Sequence, residues 1–305
     1  MDFTTCFYRS KNMLMEGALG ERLKREIHLT IDPDVALAAL VYDDEGSQAL
    51  LAFWNEYADV ATKYHLPFLA TTPTRRANKE RVTNSRHSSS IIQDNVKLLK
   101  KIQEQRTTEM YVGGLMGCKG DAYQATDVLG TREAKHFHAW QAHLFLQAGV
   151  DFLYAGIMPA VSEAIGMAQA MEETGLPYII SFMIRSDGKL IDKTSIHEAI
   201  QAIDNAVTQK PICYMTNCVH PAVCYEALAQ DFNNTPLVRQ RFLGIQANTS
   251  PLPPEELDGC EDLRYSEATV LAEEMMLLNE VADIKIWGGC CGTDQSHMNE
   301  IARRL

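Results

Sequence analysis

Along the chain, short apolar runs rich in β-branched and aromatic residues alternate with longer stretches whose apolar positions recur every three to four residues. Strands alternating with amphipathic helices are the signature of parallel βαβ units. The pattern predicts strands over 12–15, 67–70, 110–114, 152–155, 178–183, 212–216, 242–247 and 284–288, and helices that include 131–148, 163–174, 195–208, 222–230 and 266–281. In the first of these helices Ala134, Phe137, His138, Gln141, Leu144, Phe145 and Ala148 make one stripe to bury. Gly149 and Gly175 stand where a left-handed helix cap requires a residue without Cβ.

Eight strand-helix units predict an α/β protein with a single (β/α)8 TIM barrel, spanning residues 1–305 as one domain. The rival architecture, a doubly wound open sheet, lacks the Gly-x-Gly-x-x-Gly turn it would carry after the first strand. The polar or proline-rich stretches 75–86 and 248–259 each follow a strand. In a barrel that face builds the active site, so both are expected to supply its walls or lids.

Composition narrows the class of partner. The net charge is −12, so phosphate backbones and anionic lipid are repelled, and neither nucleic acid nor membrane is expected as a partner. Met1 to Leu14 mixes charged, polar and apolar residues, and no run of about 18 apolar residues occurs, so the expected location is the cytoplasm. In that reducing compartment the eight cysteines are expected as free thiols, available to bind metal or react.

Two cysteine clusters sit at predicted strand ends. The sixth strand runs into Asn217-Cys218-Val219-His220-Pro221, and the eighth into Gly288-Gly289-Cys290-Cys291-Gly292. Closing a barrel brings the carboxyl ends of strands six and eight toward one point, so Cys218, Cys290 and Cys291 can share one ion. The flanking glycines let two adjacent cysteines face it. Three soft thiolates with a fourth position left open suit Zn2+ at a catalytic site. Such an anionic site acidifies water weakly but holds an incoming thiol as thiolate, so thiol alkylation is the expected chemistry. An iron-sulfur cluster, the chemical competitor, generally takes four cysteines in tighter spacing. Cys6, Cys213, Cys224 and Cys260 read as small buried hydrophobes, and Cys118 is left open between the two roles.

With these residues in place, the chain from about Met13 to Leu305 resembles the homocysteine S-methyltransferase family, whose members use betaine, S-methylmethionine or methylfolate as donor. The resemblance rests chiefly on Asn217-Cys218 with His220-Pro221 and on Gly288 to Gly292. Weaker support comes from Glu16-Gly17-Ala18-Leu19-Gly20, from Gly113-Gly114 with Gly117 to Asp121, and from Gly149-Val150-Asp151. It implies a TIM barrel, zinc on three cysteines, and methyl transfer to homocysteine sulfur in methionine biosynthesis. Glu16, Gly17, Thr72, Arg75, Asn217 and Gly289 are the expected substrate-binding residues. Of these, Asn217 fixes its loop, and Arg75, next to Arg76, offers a carboxylate or anionic donor a bidentate partner or forms a solvated basic turn. His220 is expected as a structural neighbour of the metal ligand rather than a base. Packing or exposure is the expectation for His87, His136, His138, His143 and His297.

Two departures bear on the substrate. Glu16 stands where the family usually has Asp. The Glu that the family places after strand four, on the substrate ammonium, is missing from Tyr154-Ala155-Gly156-Ile157-Met158-Pro159, with Gly156 in its place. Two outcomes follow: the acceptor is a thiol other than homocysteine, or its amine is held by Glu16 with Asp121 or with Glu163, the last expected as a helical surface residue. A noncatalytic zinc- or thiol-binding barrel is the competing function. The donor, a small onium compound or a methyl-corrinoid brought by a partner protein, and the oligomeric state stay open at this level.

Overall fold

The structure, a computed structural model, describes residues 1–251 and 266–305. Eight parallel strands close into a barrel in chain order: β1 Met13–Met15, β2 Phe68–Thr71, β3 Met110–Gly117, β4 Phe152–Met158, β5 Tyr178–Phe182, β6 Cys213–Val219, β7 Phe242–Ala247 and β8 Ile286–Gly289, which pairs back onto β1. Between them run α1 Phe3–Arg9, α2 Gly20–Glu26, α3 Asp44–Lys63, α4 Lys79–Asn84, α5 Ser90–Gln105, α6 Thr131–Ala148, α7 Val161–Glu172, α8 Ile196–Ala206, α9 Pro221–Ala229, α10 Pro236–Arg241, α11 Ala268–Leu277 and α12 Gln295–Ala302. This is the (β/α)8 TIM barrel expected. No helix of the described residues is long and apolar enough to cross a membrane.

Alternation along the strands makes two apolar layers. Met13, Met15, Leu69, Phe152, Tyr154, Ile179, Cys213, Met215 and Ile286 fill the lumen, while Leu14, Phe68, Ala70, Leu153, Ile180 and Tyr214 join the larger layer packed with the helices. The lumen is corked from below by α1. Its Phe3 ring stacks on Phe152 at 4.6 Å and leans on Tyr111 at 5.5 Å, residues at the amino ends of their strands.

Local chemistry accounts for the helix limits. Helix α6 covers the predicted span and ends on Gly149 at φ +76°, a conformation that costs glycine little. Helix α8 opens on a capping box, the Ser195 hydroxyl accepting from Glu198 N–H while the Glu198 carboxylate accepts from Ser195 N–H. The prediction named no helix over α1 to α5, α10 or α12; α1, α2 and α4 are short (seven, seven and six residues) and give little periodicity, whereas α3 and α5, of 20 and 16 residues, are long helices it did not name. Helix α4 lies within the stretch expected as an irregular loop.

β3, β4 and β6 each run three residues past their predicted ends, to Gly117, Met158 and Val219. The added residues of β4 and β6 hold the features that shape the site. Register slips between Ala155 and Met158, where Ile157 lies at φ +54°, and between Asn217 and Val219, where Cys218 lies at φ +59°. Left-handed backbone at a non-glycine residue is held only where its surroundings over-determine it.

Candidate functional site

Asn217 joins the two kinks. Its Oδ1 accepts from Ile157 N–H at 2.9 Å and from the Ser181 hydroxyl at 2.5 Å, tying β4, β5 and β6 together one residue before Cys218. The bulge turns Cys218 toward the end of β8, where Gly289 N–H donates to Glu16 O at 3.0 Å and Cys290 N–H to Ala247 O at 2.7 Å. Gly292, at φ +84°, closes the turn after the cysteine pair, and a Cβ there would run into Thr249 Oγ1. Thr249 N–H in turn donates to Cys291 O at 3.1 Å.

The result is one sulfur cluster. The Sγ atoms of Cys218, Cys290 and Cys291 lie within 4.8 Å of one another, with Cys218 and Cys290 in contact at 2.6 Å. Zinc-sulfur bonds of about 2.3 Å in tetrahedral array put sulfurs about 3.8 Å apart, so the donor set and its spread fit such an ion after a small parting of that contact. Cys218 is buried, Cys290 half-buried and Cys291 exposed, so the cluster opens toward the mouth. Its titration is shared. Hydrogen bonds from Cys218 and Cys290 hold the Cys291 thiol well below the ordinary range, aided by the charge of Arg75. Cys290 is pushed up by its contacts with Cys218 and Cys291 and by burial.

The cluster lines a cavity of about 230 Å³ together with Glu16, Gly17, Thr72, Arg75, Asn217 and Gly289, so the three expected ligands and the six expected substrate-binding residues border the same space. Glu16 is buried, and its carboxylate accepts from Trp54 Nε1 at 2.8 Å, from Thr71 N–H at 3.1 Å and from the Thr71 hydroxyl at 2.5 Å. Burial nevertheless pushes its pKa up to about 7, against those hydrogen bonds. Gly17 makes room for the Tyr57 ring, 2.8 Å from where a Cβ would lie. The Thr72 hydroxyl is engaged by Thr74 Oγ1 at 2.7 Å and Leu115 N–H at 3.2 Å, joining β2 to β3.

Several expectations are revised. The adjacent arginines part company: Arg75 faces the cavity, while Arg76 lines a separate groove with Asp121. Asp121 is not brought to the cavity, and its Oδ1 caps its own turn at Tyr123 and Gln124 N–H. Glu163 is no surface residue: fully buried, it accepts from Lys119 N–H at 2.8 Å, from Leu129 N–H at 3.4 Å and pairs with His138 Nε2 at 2.9 Å, anchoring the loop after β3. Helical spacing cannot foresee that a loop folds over a helix start. His220 caps α9 through Ala222 N–H, and burial lowers its pKa to about 4, which keeps it neutral.

The remaining cysteines stand apart from the cluster. Cys213 and Cys224 are buried as small apolar groups; Cys6 is buried too, its thiol donating to Glu109 Oε2 at 3.3 Å, and so is Cys118, whose thiol donates to Gly120 O at 3.5 Å and is raised by burial to about 12. Cys260 and the greater part of the 248–259 stretch lie outside the described residues.

Glu21, Tyr123, Tyr154 and Gln246 are among the cavity residues that the sequence reading did not assign to the site. Tyr154 donates to Gln246 Oε1 at 2.8 Å across the lumen. Period-two alternation along β4 and β7 is the one signal that would have aimed those two inward. At Gly156 a Cβ would lie 2.8 Å from Leu115 Cδ1, so an apolar side chain occupies the space beside it.

Residues 13–305 match the sequence profile of the Homocysteine S-methyltransferase family. Among solved structures, the metallated form of the homocysteine methyltransferase MmuM from Escherichia coli superposes with a TM-score of 0.76 at 16% identity, covering 99% of each chain. The oxidized form of the same protein gives 0.78 at 17% identity, covering 98% of this chain and 97% of that one. No curated protein sequence matches.

Proposed function

The chain belongs to the homocysteine S-methyltransferase family and is a thiol methyltransferase, and from that premise we propose that it moves a methyl group from a small onium donor or a methyl-corrinoid to homocysteine, giving methionine. The observation that carries the reading is the trio of sulfurs at the cavity wall. The presence of a metallated form of the Escherichia coli relative supports a metal here, and three thiolates favour zinc. Cys218, Cys290 and Cys291 would hold it. Bound there, zinc supplies deprotonation of an incoming thiol at neutral pH.

The chain's own residues do the rest. Asn217 fixes Cys218 in its strained backbone, and the Gly292 turn sets Cys290 and Cys291 beside it. The cavity excludes bulk water on the lumen side, which keeps a thiolate poorly solvated and reactive. Glu16, Gly17, Thr72, Arg75, Asn217 and Gly289 form the substrate wall, Arg75 offering a cation to a carboxylate. Residues 1–305 act as one domain in the cytoplasm, and any corrinoid arrives on a partner protein.

The test is metal content followed by a matrix of thiols against donors. One zinc per chain is expected, lost in Cys218→Ala, Cys290→Ala and Cys291→Ala, with methylation of homocysteine lost alongside. A wild-type chain without zinc, or Cys290→Ala with full activity, overturns the reading. Zinc retained with no thiol methylated would favour the noncatalytic barrel.

A further inference from the structure

Two carboxylates line the thiol cavity, Glu16 and Glu21. Those of Glu16 are spent within the protein, since Trp54 Nε1, Thr71 N–H and the Thr71 hydroxyl already point at its oxygens. Glu21 differs. One oxygen pairs with Arg25 at 3.1 Å, but Oε2 is buried without a hydrogen-bond partner among the described residues. A buried carboxylate oxygen left unmatched costs free energy unless a ligand completes it.

The position of Glu21 is fixed from its own helix. The next residue, Arg22, is buried and binds Glu26 at 2.9 Å and Glu56 at 2.8 Å while its guanidinium lies 3.7 Å over the Phe53 ring, which docks α2 on α3. On the other side the neighbouring donor is the Gly292 N–H, at the turn that follows Cys291, outside hydrogen-bond geometry with Oε2. Glu21, Arg75 and Cys291 line the same cavity, so an anion and a cation share its wall with the sulfur cluster.

We propose that Glu21 is the acceptor for the ammonium of an α-amino-acid thiol whose carboxylate meets Arg75 and whose sulfur joins the cysteine cluster. The inference rests on the methyltransferase reading and deepens it: the acceptor is zwitterionic, and the carboxylate absent at Gly156 is supplied from the first turn of α2.

The experiment uses the zinc-loaded full chain and compares wild type with Glu21→Gln. Calorimetry measures binding of methionine and of its amine-free counterpart 4-(methylsulfanyl)butanoate, which needs no donor and no turnover. Kinetics then gives KM for homocysteine and for the donor. A charged hydrogen bond is worth about 1.5 to 3 kcal/mol, so methionine binding and homocysteine KM are expected to weaken about 10- to 150-fold, with the amine-free ligand changed less than about twofold. Equal loss for both ligands, no loss for either, or a rise confined to the donor KM overturns the proposal. If the wild type methylates no thiol, the methyltransferase reading falls, whereas methionine discrimination in calorimetry still reports on Glu21 by itself.

Discussion

Asn217→Ala is the sharpest probe of how the fold builds the site. The substitution removes the acceptor of two buried donors, Ile157 N–H at 2.9 Å and the Ser181 hydroxyl at 2.5 Å. Each orphaned donor costs about 1 to 3 kcal/mol, so the loss is about 2 to 6 kcal/mol. A chain of this length unfolds with an entropy of about 0.64 kcal/mol/K, which converts the loss to a Tm lowered by about 3 to 9 °C. Ser181→Ala is the control, because Asn217 keeps its bond to Ile157 and no buried group is stranded. A loss of about 0.5 to 1.5 kcal/mol, or about 1 to 2 °C, is expected there. Zinc should report the same defect. Without Asn217 the left-handed Cys218 relaxes, and the strain of about 1 to 3 kcal/mol must be reimposed on binding, weakening zinc about 5- to 150-fold in a chelator competition. A Tm within 1 °C of wild type, or zinc affinity within about twofold, would refute the claim that Asn217 holds the bulge.

Other outcomes follow from single contacts. Because burial raises the folded pKa of Glu16 from 4.5 to about 7, its contribution to stability is fully present below pH 4.5 and is lost as pH rises through 7, about 3 kcal/mol in all. Chemical denaturation of Glu16→Gln across that window should show a flatter slope than wild type, and an identical slope contradicts the assignment. Gly292→Ala places a Cβ against Thr249 at φ +84° and should weaken zinc binding with the overall fold intact; unchanged chelator competition would show that the turn tolerates it. Glu163→Ala strips the partners from Lys119 N–H, Leu129 N–H and His138, and should cost about 3 to 5 kcal/mol by denaturant titration, with proteolysis rising in the loop after β3. A protected loop would show that Glu163 does not anchor it.

The barrel was legible in the sequence because its evidence is periodic. Eight short apolar runs separated by helical stripes survive errors of a few residues at each end, and β7 and α6 match their predicted spans. The sulfur cluster was legible because closure alone brings β6 and β8 near one point. What escaped was set by contact, not by period. The kinks at Ile157 and Cys218 use residues that seldom take left-handed backbone, so composition gives no warning of them. Glu163 and Glu21 both sit in first turns of helices and look solvated in sequence, yet a folded loop covers one and the cavity borders the other. The roles of Arg75 and Arg76 could be separated only once the backbone between them was traced.

The aromatic stopper formed by Phe3 and Phe7 has a kinetic corollary. A vessel sealed at its base has its doorway at the rim, so donor and acceptor share one route in and out. Whichever molecule sits lower must enter first and depart last, which makes a compulsory order of addition the natural behaviour of this architecture.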